Sequence, residues 1–368
     1  MNLANEIEVA RQRSLSWFDA QYINFESASL WRESAHHDPA LWPGMVLPGT
    51  YNSAMCLRLI GGLDKFDVSS TAQWIIGKRQ ADGSWWLDGM DPGDVFKKPD
   101  HHESLRYVSW HITNYTLGAL HALVGNAPSP NFAKPYFDPQ ALGHWLSRRD
   151  MRDAWQEGNN IVNLGSFFWL LREDSAAGAA LEQMMEWHDV NSEPSTGFWG
   201  VHQSNPTRLL HAMAGATHNY HLFYALNRPI PYHERAVDYC LTQPPQVVSA
   251  CIDADLIDIL AHAYVRLDYR REDIAAWLAT ICEAILAIQN EDGGFPDLSS
   301  AEGKRGFDGW RGGYSEPQGI SCGFGTFFRW IAIAMCARVL EPTLRDWQFR
   351  TMPGLGYFNV GDTVSGEA

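Results

Sequence analysis

The chain has 368 residues, 43 acidic against 28 basic, and a net charge of −15. With no basic stripe to neutralise phosphates, this balance excludes nucleic acid as a partner and disfavours docking on anionic membranes by charge. Hydrophobic residues make up 45% and charged residues only 19%, enough apolar material for a large core and too much for disorder.

The first segment, residues 4–35, is amphipathic and charged. It reads as one or two leading helices without the apolar stretch of a secretory signal. No run reaches the roughly 18 apolar residues of a membrane span, so the expectation is a cytoplasmic protein with no transmembrane segment. A Pro/Gly loop follows, and then a pattern that returns six times. In each copy a stretch with a polar start turns apolar at helical spacing. The copies begin near Thr50, His111, Asn159, Thr217, Asp253 and Gly323. Between them lie helix-like stretches of a second kind, at residues 69–80, 138–149, 178–188, 232–243 and 272–289. Strand-like alternation is scarce, and no boundary divides the chain. The alternation predicts an all-α, (α/α)6 toroid of inner and outer helices. It should span residues 1–345 as a single domain, with 346–368 a loose tail. The polar starts of the inner helices then meet at one end, where a pocket is expected.

The six cysteines form no C-x-x-C pair, and Cys56, Cys282 and Cys336 lie inside apolar helical runs. They read as free thiols. The abundant aromatics (16 Trp, 13 Tyr and 17 Phe) suit either a packed core or a cavity walled by aromatic faces.

Several outer stretches end in a Gln, a Gly and an aromatic. Trp74 to Gln80 runs on through Gly83 to Trp85, and Gln289 runs on through Gly294 to Phe295. A third copy ending in Thr196-Gly-Phe-Trp199 has lost its Gln. The Gln can bond backbone groups at a helix end, the Gly permits the turn, and the aromatic packs on the next repeat. These segments resemble the repeat motif of the terpene cyclase and protein prenyltransferase superfamily, in particular squalene–hopene cyclases. The resemblance implies the toroid. In such cyclases, and in class II diterpene cyclases, an Asp-x-Asp-Asp motif opens an inner helix and its middle Asp protonates the substrate. Asp253-Ala-Asp255-Leu256 stands at the matching place, with Leu256 where the motif has its last Asp.

A carboxyl in an apolar cavity has its charged form disfavoured, and a neighbouring carboxylate splits the pair's titration. Asp255 can then act as a protonated acid assisted by Asp253, and aromatic faces can stabilise a cation. The plain alternative is that Asp253 caps the helix and Asp255 complements its dipole. His218 and His221 share a helix face, as do Asp255, Asp258 and His262. His111 and Tyr115, with Trp110 just before them, open one inner helix, and Asn159 and Asn160 open another. Trp310 and Arg329 can add an aromatic and cationic rim. These residues are the expected substrate-binding set.

No phosphate loop, Gly-x-Ser-x-Gly or His-Glu-x-x-His is present, and the aspartate-rich metal motif of ionising terpene synthases is missing. No metal site and no cofactor are therefore expected, with Mg²⁺ entering only alongside a diphosphate substrate. The leading expectation is an enzyme that cyclises a hydrophobic isoprenoid by acid initiation, an isomerase or lyase. A carbohydrate-active enzyme on the same fold and a non-catalytic binding module are the alternatives.

Overall fold

The structure is a computed structural model. It describes residues 2–88, 101–199, 205–298, 304–306, 314–349 and 352–353, and the side chains of all of these except 101–105 and 304–306. It is mostly helical, as expected. Helix α1 (Leu3–Gln21) leads into a hairpin of β1 (Tyr22–Phe25) and β2 (Ala28–Trp31). Then come α2 (Val46–Ile60), α3 (Val68–Gly77), α4 (His101–Val124), α5 (Pro139–Ser147), α6 (Ala154–Leu170) and α7 (Ser175–Asn191). The series continues with α8 (Pro206–Ala225), α9 (His233–Thr242), α10 (Ala250–Arg266), α11 (Arg271–Ala287) and α12 (Gly323–Leu340).

The helices are of two kinds. Helices α2, α6, α10 and α12 are buried along most of their length, and α4 and α8 from their middles onward. The odd-numbered helices bury one face only. The even-numbered helices pack on one another in chain order, and α12 packs back on α2. By length and a mean hydropathy of 1.3, α12 could cross a bilayer, but 78% of it is buried inside the protein. Its apolar surface is spent on α2, α10 and α11.

The repeat is written in hydrogen bonds. The Trp31 N–H donates to Thr50 Oγ1 (3.2 Å), the Trp85 N–H to Thr113 Oγ1 (2.9 Å) and the Phe295 N–H to Thr326 Oγ1 (2.9 Å). In each case the chain ahead of an even-numbered helix is pinned to a buried threonine on it. Gln289 caps as expected, its amide donating to the carbonyls of Ala10 and Gly293 (both 2.8 Å). Gly83 sits at φ +95°, where other residues would be strained; in the second copy the glycine with this conformation is Gly293 and not the expected Gly294. Gln80 is exposed, and its side chain reaches only the Lys78 carbonyl.

Three sequence expectations change. Residues 22–31 form a hairpin instead of continuing a helix. Glu26 and Ser27 both take positive φ (49° and 64°), giving a two-residue turn of the kind that joins twisted strands. Helix α4 starts at His101 and not near His111; helix α8 likewise starts about three turns before Thr217, because Asn205 accepts from two backbone amides as N-cap and Pro206 follows at the first position. In the segment expected to be a loose tail, Trp347, Phe349 and Met352 are buried in the main core.

Helices α6 and α8 approach each other closely through two glycines. A Cβ on Gly215 would lie 2.1 Å from the Ala154 carbonyl oxygen, and one on Gly158 would lie 2.5 Å from that of Gly215. Gly178 on α7 has only ordinary contact around it. Gly215→Ala should therefore lower unfolding stability by about 1–3 kcal/mol through overpacking. Gly178→Ala should raise it by about 0.5–1 kcal/mol through helix propensity. Urea unfolding of the two variants checks this, and effects of the same sign would refute the close contact.

Candidate functional site

Four even-numbered helices contribute to one buried polar chain. Asn159 on α6 donates from Nδ2 to the Tyr107 hydroxyl on α4 (3.2 Å), and its Oδ1 accepts from His218 Nδ1 on α8 (3.0 Å). Across the same ring, His218 Nε2 lies 3.2 Å from Asp255 Oδ1 on α10, close but not aligned for a hydrogen bond. His218 and Asp255 expose 5% and 2% of their surface. Burial raises the Asp255 carboxyl above its ordinary range; His218 opposes this and the Asp258 charge adds to it.

The chain exists because α6 and α8 touch through glycine. Asn219 Nδ2 donates to the carbonyls of Gly158 (2.9 Å) and Gly215 (2.7 Å), locking the two backbones together. Asn159 and His218, each one residue from a member of that lock, are brought within bonding distance.

One turn further along the same two helices lies a second pair. His221 Nε2 is 2.9 Å from Asp258 Oδ2, and His262 Nε2 is 4.0 Å from Asp258 Oδ1. Burial pushes Asp258 up, but the charge and the hydrogen bond of His221 bring it below the ordinary carboxylate range. His262 stacks on Tyr224, with ring centroids 3.7 Å apart, and burial lowers it to about 3.

Asp253 has a different environment. The N-cap of α10 is Ser249, so Asp253 does not cap the helix as the plain alternative supposed. Its Oδ2 accepts from the Val248 N–H (3.0 Å) and from Arg329 Nη1. Arg329 is fully buried and also donates to the Asp297 carbonyl (2.9 Å). Among the expected site residues, this ion pair joins Asp253 and Arg329 to each other.

The remaining expected residues divide. His111 lies beside Tyr107 and Tyr115, with ring centroids 5.5 and 5.2 Å away, and Tyr115 stacks on Tyr51 at 5.1 Å. Asn160 instead donates to Glu157 (3.1 Å), which pairs with Arg149. Trp110 packs in an aromatic cluster with Phe132, Tyr136, Trp145 and Phe167. Trp310 lies outside the described residues. Tyr107 was missed, although its spacing of four from His111 and of eight from Tyr115 places all three on one helix face.

Among the described residues, one group of three potential ligands has all its ligand atoms within 4.8 Å of one another: Glu33, Glu316 and Cys322. The His/Asp pairs of α8 and α10 do not converge in this way. Glu33 and Cys322 accept the N–H groups of Phe324 (3.1 Å) and Gly325 (3.2 Å), so both cap the start of α12.

No protein-family model matches the chain, and comparisons with curated proteins and with solved structures also find no match.

The buried histidines set a pH response. Burial is the main cause lowering His188 and His233 to about 4 and His262 to about 3. Below pH 6.5 the unfolded chain therefore binds protons that the folded chain refuses, and stability falls as pH drops from about 6.5 toward 4. Each such histidine contributes up to about 1.4 kcal/mol per pH unit. The raised carboxyls Asp253 and Asp255 act with the opposite sign. Above the unfolded carboxylate value they add stability as pH falls, which offsets part of the loss near pH 4. Urea midpoints should fall between pH 7 and pH 5, while the imidazole NMR signals of these three histidines stay neutral. Titration of their signals near pH 6.5 would contradict the assignment.

Proposed function

We propose that the chain is an (α/α)6 toroid whose even-numbered helices form the inner ring, and that it is an enzyme of terpenoid-cyclase type. The closed order of packing from α2 round to α12 and back supports the toroid. The observation that carries the enzymatic reading is the Asp255 carboxyl. It is buried, lies 3.2 Å from His218 Nε2, and has an Oδ2 with no hydrogen-bond partner among the described residues. A carboxyl so placed favours the neutral form and can give its proton to an alkene or epoxide. His218, oriented through Asn159 and Tyr107, can take up and return that proton.

The substrate is a hydrophobic isoprenoid. Charge developing on its carbon skeleton would be stabilised by aromatic faces such as Tyr107, Tyr115 and Tyr51. Mg²⁺ is needed only if that substrate carries a diphosphate. Glycoside hydrolysis calls for two carboxyl groups on either side of a cleft. Asp255 and Asp258 instead leave one helix three residues apart, which does not favour the carbohydrate reading.

The test is product analysis by gas chromatography–mass spectrometry. The purified protein is incubated with farnesyl diphosphate, geranylgeranyl diphosphate or squalene, with and without Mg²⁺. A cyclic product should form, and Asp255→Asn should reduce it by at least about 100-fold, the usual weight of a general acid. Absence of product from every isoprenoid, or full activity in the variant, would overturn the proposal.

A further inference from the structure

The two His/Asp pairs between α8 and α10 look alike in sequence, but they differ in where their protons must be. Asn159 gives its amide hydrogens to Tyr107, so its oxygen faces His218 and the proton of that bond sits on His218 Nδ1. With the ring proton on Nδ1, Nε2 presents a lone pair to Asp255, and the proton between these two groups belongs to the carboxyl. In the second pair His221 Nε2 and Asp258 Oδ2 are aligned at 2.9 Å, so the ring donates to a carboxylate.

The pairs are one helical turn apart, with the His218 and His221 rings 6.0 Å between centroids, and all four residues are at most 5% exposed. Two carboxylates this near each other in a low-dielectric interior do not both ionise. The one with an aligned donor takes the charge, and the other keeps its proton. We infer that Asp258, held as the carboxylate by His221, is the positioning residue whose charge keeps the proton on Asp255. This rests on the reading of Asp255 as the acid.

The other groups around Asp255 do not replace that charge. From α8 it faces His218 and His221. From α9 it faces the Cys240 thiol, which burial holds far above neutrality, and Cys251 on α10 is raised in the same way. His262 on α10 is neutral. Asp253 on α10 is paired with Arg329 of α12, so these two offset each other.

The test needs no substrate, so it stands apart from the cyclisation assay. Carboxyl ¹³C NMR of the aspartate-labelled full chain follows the Asp255 signal, assigned by its loss in Asp255→Asn. Asp258→Asn keeps the shape and removes the charge, and the Asp255 midpoint should drop by about one pH unit or more. His221→Phe removes the donor, moves the proton onto Asp258 and should lower the Asp255 midpoint too. It supplies the reading if Asp258→Asn fails to fold by circular dichroism. An Asp255 midpoint unchanged in a folded variant, or Asp258 holding its proton to higher pH than Asp255 in the parent chain, overturns the inference. A cyclisation assay without product alongside a shifted midpoint would overturn the function and leave the inference standing.

Discussion

The contact between Gly158 and Gly215 is the constraint on which the site depends. Two helix backbones can approach this closely only where neither carries a Cβ. Asn219 then ties both carbonyls with one amide, and its oxygen lies 3.0 Å from His188 Nε2, linking α7 to the same knot. Relaxing α6 from α8 by even one methyl group would part Asn159 from His218. That would release the ring whose tautomer decides where the Asp255 proton resides.

The interior this creates is costly. Asp255 Oδ2, Asp258 Oδ1, His262 Nε2, the Tyr224 hydroxyl and both amide atoms of Asn163 are buried without a hydrogen-bond partner among the described residues. Each such atom costs on the order of 1–3 kcal/mol. A core of this size could have been filled with leucine and phenylalanine, as the faces around it are. Polar atoms retained at that cost, on the facing surfaces of neighbouring helices, are what a site for chemistry requires. The Arg329–Asp253 pair is the contrasting case. There two buried charges pair with each other and with backbone groups, leaving Arg329 Nε without a partner among the described residues, and the pair holds the start of α10 to α12.

Much of the fold could be read from the chain because its helices bury apolar faces at regular spacing. The five later odd-numbered helices start and end within a few residues of the positions that this spacing indicated. What escaped was set by local backbone geometry or by partners far away in sequence. The hairpin at residues 22–31 depends on two positive φ values that no apolar pattern announces. Of the site, Asp255, His218 and Asn159 could be named from the polar residues that open the repeating stretches, but the pairing could not. Asp253 looked like the partner of Asp255 at two residues' distance, yet its partner is Arg329, 76 residues on. Tyr107 stood one turn before the stretch that carried the signal.

The account turns on the location of three protons, which neutron diffraction from a deuterated crystal at pH 7 would show directly. It predicts deuterium on the Asp255 carboxyl and on His218 Nδ1, with Asp258 bare and His221 Nε2 carrying the donor. An ionised Asp255 facing a doubly protonated His218 would contradict it.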